Sequence, residues 1–92
     1  MLKVLIVEDE RLVGLGISEY VNETEGFMVM GIALDGIEAI EKIEKEEPDI
    51  VITDIRMPRM EGTELVKYLN THYPSIRKIV LSGFDDYEYV RT

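Results

Sequence analysis

Polar residues able to do chemistry follow three separate apolar runs of the chain. Glu8 and Asp9 come after the first run, Asp54 after a later one and Ser82 after the last. Clustered carboxylates repel one another, so such a group either raises a pKa or binds a cation. Oxygen ligands suit a hard ion such as Mg²⁺, which is commonly held by one or two carboxylates and a phosphate oxygen. A carboxylate beside Mg²⁺ can attack phosphorus to give an aspartyl phosphate, and the Ser82 hydroxyl could donate to a phosphoryl oxygen.

Each of these residues also has a simpler interpretation. Acidic residues such as Glu8 and Asp9 often follow strands because negative charge favours the start of a helix. Ser82 precedes Gly83, a pair that is typical of a turn. Asp54 is harder to explain in this way, because a loop separates it from the next predicted helix.

The apolar pattern predicts four strands alternating with helices. The predicted strands are Val4–Val7, Phe27–Leu34, Ile50–Ile52 and Ile79–Leu81. Helical spacing is expected for Val13, Ile17, Tyr20 and Val21, for a buried stripe of Ile37, Ile40 and Ile43, and for an inward-facing set of Leu65, Val66 and Leu69. Asp35 is placed to cap the second helix, Gly26 stands where the first should stop, and a fourth helix is expected to begin around Asp86.

Strands that alternate with helices predict a parallel sheet with right-handed crossovers and helices on both faces. In such sheets ligands bind beyond the carboxyl ends of the strands, where the strand order reverses. With the order 2-1-3-4, the first, third and fourth strands are neighbours. Glu8, Asp9, Asp54 and Ser82 would then meet at one edge.

Composition limits the kinds of partner. A chain of 92 residues has room for one core, and 46% hydrophobic with 32% charged residues is typical of a globular domain. The formal net charge of −9 argues against nucleic acid or an anionic membrane as a direct partner. The chain has no cysteine, and no apolar stretch approaches the roughly 20 residues that a membrane span needs. A cytoplasmic protein is therefore expected.

Four motifs in order along the chain resemble the receiver domain of two-component response regulators. They are Val7-Glu8-Asp9-Glu10, Thr53-Asp54-Ile55-Arg56-Met57-Pro58, Met60-Glu61-Gly62 and Leu81-Ser82-Gly83. The resemblance implies a flavodoxin-like, doubly wound parallel sheet and a sensor histidine kinase as phosphoryl donor. The stretch from Leu81 to Tyr87 is also similar to receivers that precede AraC-type DNA-binding domains.

The resemblance assigns roles to individual residues. Asp54 is the phosphoacceptor, and Glu8 and Asp9 are the acidic pair that holds Mg²⁺, with Asp9 favoured as the direct ligand. The backbone carbonyl of Arg56 completes the protein ligands. Ser82 corresponds to the switch hydroxyl that moves toward the phosphoryl group.

The chain differs from a complete receiver, which has a fifth strand carrying a lysine and an aromatic switch residue. Residues 1–92 are therefore expected to be one receiver domain, truncated within its fourth helix. Two functions remain open: a phosphoacceptor signalling module that is not classed as an enzyme, or a phosphorylation-incompetent interaction module. An uncovered fourth strand predicts a homodimer or larger oligomer, with that strand and residues 84–92 at the contact.

Overall fold

The computed structural model describes residues 1–81, and four strands alternate with three helices in that range. The strands are β1 (Leu2–Val7), β2 (Phe27–Ala33), β3 (Ile50–Asp54) and β4 (Arg77–Leu81); the helices are α1 (Arg11–Glu23), α2 (Gly36–Lys45) and α3 (Gly62–His72). The predicted order of elements is confirmed over these residues. Ser82, the predicted fourth helix and the contact expected at 84–92 lie outside the described residues. No helix described here has the length and apolar character needed to cross a membrane.

All four strands are parallel, and their order is β2-β1-β3-β4, as predicted. β1 is therefore an inner strand, with β2 on one side and β3 on the other. Its run from Val4 to Val7 is buried, with at most 1% exposed per residue. This explains why β1 is continuously apolar, because a strand covered on both faces has no position for a polar side chain.

The two faces of the sheet carry different helices. Leu5, Val7 and Val51 pack with residues of α2 and α3, including Ile43 and Leu69. On the opposite face, Val4, Ile6 and Ile50 pack with Val21 and Ile17 of α1. Helices on both faces are what the sequence predicts, and this architecture confirms a flavodoxin-like α/β fold.

The predicted cap of α2 is confirmed, whereas Glu10 and Glu61, which precede α1 and α3, make no side-chain cap hydrogen bond. Asp35 caps α2 by accepting a hydrogen bond from the Glu38 N–H at 2.9 Å, as expected. Gly26 adopts φ +91°, a left-handed conformation that favours glycine, between α1 and β2.

The buried face of α2 corrects one prediction. Ile37 was expected in the buried stripe, but it is 36% exposed. The buried residues of α2 are instead Gly36, Ala39 and Ile43, with Ile40 half-buried. Small residues fit here because the helix start lies close to Met60, whose side chain would clash with any Cβ at Gly36.

Candidate functional site

Glu8 and Asp9 directly follow the last residue of β1. The Glu8 N–H still donates to the Ala33 carbonyl at 2.8 Å, so the end of β2 holds the backbone at this point. The Glu8 carboxylate accepts a hydrogen bond from the N–H of Glu10, two residues further along the chain, at 3.1 Å. Glu8 is buried whereas Asp9 is exposed, so two adjacent acids have quite different environments.

Asp54 is the last residue of β3. Because Val7 of β1 pairs with Thr53, the strand register brings Glu8 and Asp54 to the same level of the sheet. The Asp54 side chain accepts a hydrogen bond from the Ile55 N–H at 2.8 Å, and its carbonyl accepts one from the Thr53 hydroxyl at 2.9 Å. These contacts fix both the backbone and the carboxylate of Asp54.

The three carboxylates converge at the carboxyl edge of the sheet. One oxygen from each of Glu8, Asp9 and Asp54 lies within 4.8 Å of the others. Burial raises the pKa of Glu8 from 4.5 to about 7, and the neighbouring Asp54 and Asp9 charges contribute to the rise, while the hydrogen bond from Glu10 opposes it. A buried acid beside two others needs a counter-charge in order to ionise, and all the donor atoms are oxygen. The residues therefore fit a hard divalent cation.

The loop of residues 55–61 leads from Asp54 to α3 and closes tightly against its own start. The Gly62 N–H donates to the Ile55 carbonyl at 2.8 Å. A Cβ at Gly62 would collide with the Asp54 carbonyl group, so glycine is required at this close approach. Met57 is buried in the core, while Arg56 is exposed two residues beyond Asp54.

This arrangement of acids and loop can be compared with known proteins. The family model for the response regulator receiver domain matches residues 4–92. The chain belongs to this family. Receiver domains are signalling domains of two-component systems, and they typically bind Mg²⁺ at an acidic pocket.

Individual relatives agree with this assignment. The chain is 44% identical over 92 residues to the uncharacterized transcriptional regulatory protein YesN of Bacillus subtilis (strain 168), covering 99% of this chain and 25% of that protein. The receiver domain of AraT from Geobacillus stearothermophilus superimposes with a TM-score of 0.88 at 35% identity, covering 98% of this chain and 70% of that one. A two-component transcriptional regulator AraC from Clostridium phytofermentans superimposes with a TM-score of 0.83 at 40% identity, and the match covers 100% of this chain and 75% of that one. The chain thus spans about a quarter of the length of YesN.

Arg59 and Asp35 of the receiver form an ion pair near the site, which sequence reasoning did not predict. Arg59, in the loop after Asp54, donates from Nε to Asp35 Oδ2 at 2.6 Å and from Nη2 to Oδ1 at 3.1 Å. The two residues are 24 positions apart, so no helical or strand periodicity links them. The only available signal was the cap position of Asp35, which explains one of its hydrogen bonds but not the other two.

Proposed function

We propose that this receiver takes a phosphoryl group from a sensor histidine kinase onto Asp54. The observation that supports the proposal is the convergence of Glu8, Asp9 and Asp54 within 4.8 Å at the carboxyl edge of the sheet. An oxygen of Asp54 attacks phosphorus, an O–P bond forms, and the N–P bond of the donor phosphohistidine breaks. The bonding electrons leave with the imidazole.

The chain supplies positioning for this step. The Ile55 N–H orients one oxygen of Asp54, while the Thr53 hydroxyl and the packing of Gly62 restrain its carbonyl. The attacking group is therefore ordered before the donor arrives, which lowers the entropic part of the barrier. Ser82 is proposed to provide the switch hydroxyl, because the sequence around it resembles that of receiver domains.

The residues proposed to hold Mg²⁺ are Asp9, Asp54 and the Arg56 carbonyl, with Glu8 in support. When bound, Mg²⁺ neutralises the carboxylates and the developing charge on the phosphoryl oxygens. Binding should be weak, because the chain offers few ligands and Mg²⁺ retains much of its hydration. Glu8 is buried beside Asp9 and Asp54, so a bound cation would favour the charged form of its carboxylate.

The assignment of Asp54 is tested by incubation with acetyl phosphate and Mg²⁺, followed by intact mass measurement. The parent protein should gain one phosphoryl group, and Asp54→Asn should gain none. Asp49→Asn is the matched control, because Asp49 is an exposed aspartate at the opposite end of β3 whose substitution should leave the mass gain intact. Phosphorylation of Asp54→Asn would refute the assignment.

We also propose that phosphorylation of this receiver controls transcription through a separate DNA-binding domain of a longer protein. YesN and the Clostridium regulator are both described as transcriptional regulators, which supports this proposal. The receiver itself, at a net charge of −9, is poorly suited to bind DNA.

A second candidate property is self-association through β4. Ile79, Val80 and Leu81 are 38–45% exposed, and among residues 1–81 β4 pairs only with β3. An apolar strand edge that has no partner strand within residues 1–81 favours pairing with a second copy of the chain. Sedimentation equilibrium at micromolar concentration should give a dimer, and a stable monomer would reject this candidate.

A further inference from the structure

The loop of residues 55–61 is attached to the start of α2 at two adjacent points. Arg59 makes its two hydrogen bonds to the Asp35 carboxylate, at 2.6 and 3.1 Å. One residue further along each segment, the Gly36 N–H donates to the Met60 carbonyl at 3.3 Å. Because a side-chain pair and a backbone contact lie side by side, the middle of the loop is held in register with α2.

Asp35 is the fixed member of this ion pair. It is 5% exposed, and as the cap of α2 it also accepts a hydrogen bond from the Glu38 N–H. The Arg59 side chain, by contrast, is 58% exposed and lies in a loop. If the pair is broken, the Asp35 carboxylate therefore remains in place and the loop is the part that is free to move.

We propose that the Arg59–Asp35 ion pair, here called the clamp, positions the phosphoacceptor loop and thereby sets the Mg²⁺ affinity of the site. The proposal rests on the proposed function of Asp54. The hydrogen bond from Gly62 to the Ile55 carbonyl closes the ends of the loop, and the clamp fixes its middle. The segment between these restraints directly follows Asp54 and carries Arg56. Arg59 is thus a positioning residue that acts through the loop backbone.

The first test needs no phosphoryl donor. Amide hydrogen exchange measured by NMR reports opening of the loop at Gly36 and Gly62, whose N–H groups both bond to loop carbonyls. Arg59→Ala should speed exchange at these two amides by about tenfold or more, since local opening is controlled by local contacts. Lys3→Gln is the matched control, because it breaks the Lys3–Glu46 ion pair at the other end of the sheet. Unchanged exchange, or a uniform increase at all amides, would overturn the clamp.

The second test measures the Mg²⁺ dependence of phosphorylation by acetyl phosphate. Groups that orient metal ligands typically change metal affinity by about 10–100-fold when they are removed. We expect the Mg²⁺ concentration that gives half-saturation to rise about tenfold in Arg59→Ala and in Asp35→Asn. The second variant keeps a side chain that can cap α2. The double variant should be no worse than either single one, since both remove the same contact. Arg59→Lys should recover only part of the affinity, because lysine lacks the two-pronged geometry.

These measurements separate the possible failures. If Arg59 only stabilised the fold, its substitution would reduce the amount of active protein and leave the half-saturating Mg²⁺ concentration at the value of the parent protein. That result would overturn the clamp. If the parent protein is not phosphorylated, the proposed function fails. The exchange experiment then still decides whether Arg59 holds the loop.

Discussion

Among the glycines of residues 1–81, Gly62 leaves the least room for a side chain. It is the first residue of α3 and is buried. An added Cβ would lie 3.0 Å from the Asp54 carbonyl carbon and 3.2 Å from Ile55 Cα, with the Asp54 carbonyl oxygen closer still. All three atoms belong to the backbone, so no flexible side chain can move aside. Gly62→Ala must displace either the start of α3 or the end of β3.

The loss of stability can be estimated from the effect of overpacking in other proteins. Extra methyl groups forced into a packed site typically cost about 1–3 kcal/mol, and a backbone clash belongs at the upper end of that range. We expect Gly62→Ala to lower the free energy of unfolding by about 3 kcal/mol. At a urea m-value of about 1.5 kcal/mol/M this shifts the midpoint by roughly 2 M. Phosphorylation should also slow, because the displaced backbone is that of Asp54.

Gly16→Ala is the matched control. Gly16 lies in the middle of α1, and a Cβ there would have no heavy atom within 4 Å. The same substitution should raise the free energy of unfolding by up to about 1 kcal/mol, since alanine favours the helix. Urea unfolding followed by circular dichroism measures both variants. The reasoning is refuted if Gly62→Ala stays within about 0.5 kcal/mol of the parent protein.

Three further predictions concern charge and packing. Asp54→Asn relieves repulsion in the acidic cluster, so without Mg²⁺ it should raise the free energy of unfolding by about 1 kcal/mol. Added Mg²⁺ should then raise the midpoint of thermal unfolding less in this variant than in the parent protein. The Arg59 hydrogen bond holds the pKa of Asp35 below its ordinary 3.8. The stabilisation that this ion pair gives is therefore complete above pH 3.8 and is lost as the pH falls through the lowered pKa of Asp35 in the folded protein. Asp35→Asn should thus lower the free energy of unfolding in urea at pH 7, and this loss should become smaller in acid. Leu69→Ala, at a fully buried position, should cost about 2–5 kcal/mol, whereas Leu12→Ala, 83% exposed, should stay within about 0.5 kcal/mol by the same assay.

The sequence predicts the sheet well because each inner strand is an unbroken apolar run that ends in a polar residue. Once the strand order is confirmed, the convergence of Glu8, Asp9 and Asp54 follows from the geometry of a parallel sheet. This much depends on local patterns, which one sequence contains in full.

Other features depend on neighbours that the local pattern does not identify. Hydrophobic spacing favoured Ile37 over Gly36, but the space beside Met60 accepts only a small residue. Glu8 is buried and Asp9 is exposed, and the Glu8 N–H is still bonded to the Ala33 carbonyl at the end of β2. The sequence alone does not distinguish these two adjacent acids. The Arg59–Asp35 pair joins two loops 24 residues apart, so it emerges only in three dimensions.

The inner position of β1 also affects how the chain folds during synthesis. β1 leaves the ribosome before either of its two neighbouring strands, and β3 follows much later. Asp49 lies just before β3, accepts a hydrogen bond from the Lys3 N–H and is 46 residues further along the chain than Lys3. At about 5–20 residues per second, roughly 2–9 seconds pass before β3 can cover that edge. During this interval the apolar run from Val4 to Val7 is only partly protected. Exposed apolar strands favour aggregation, so this strand needs protection during that interval.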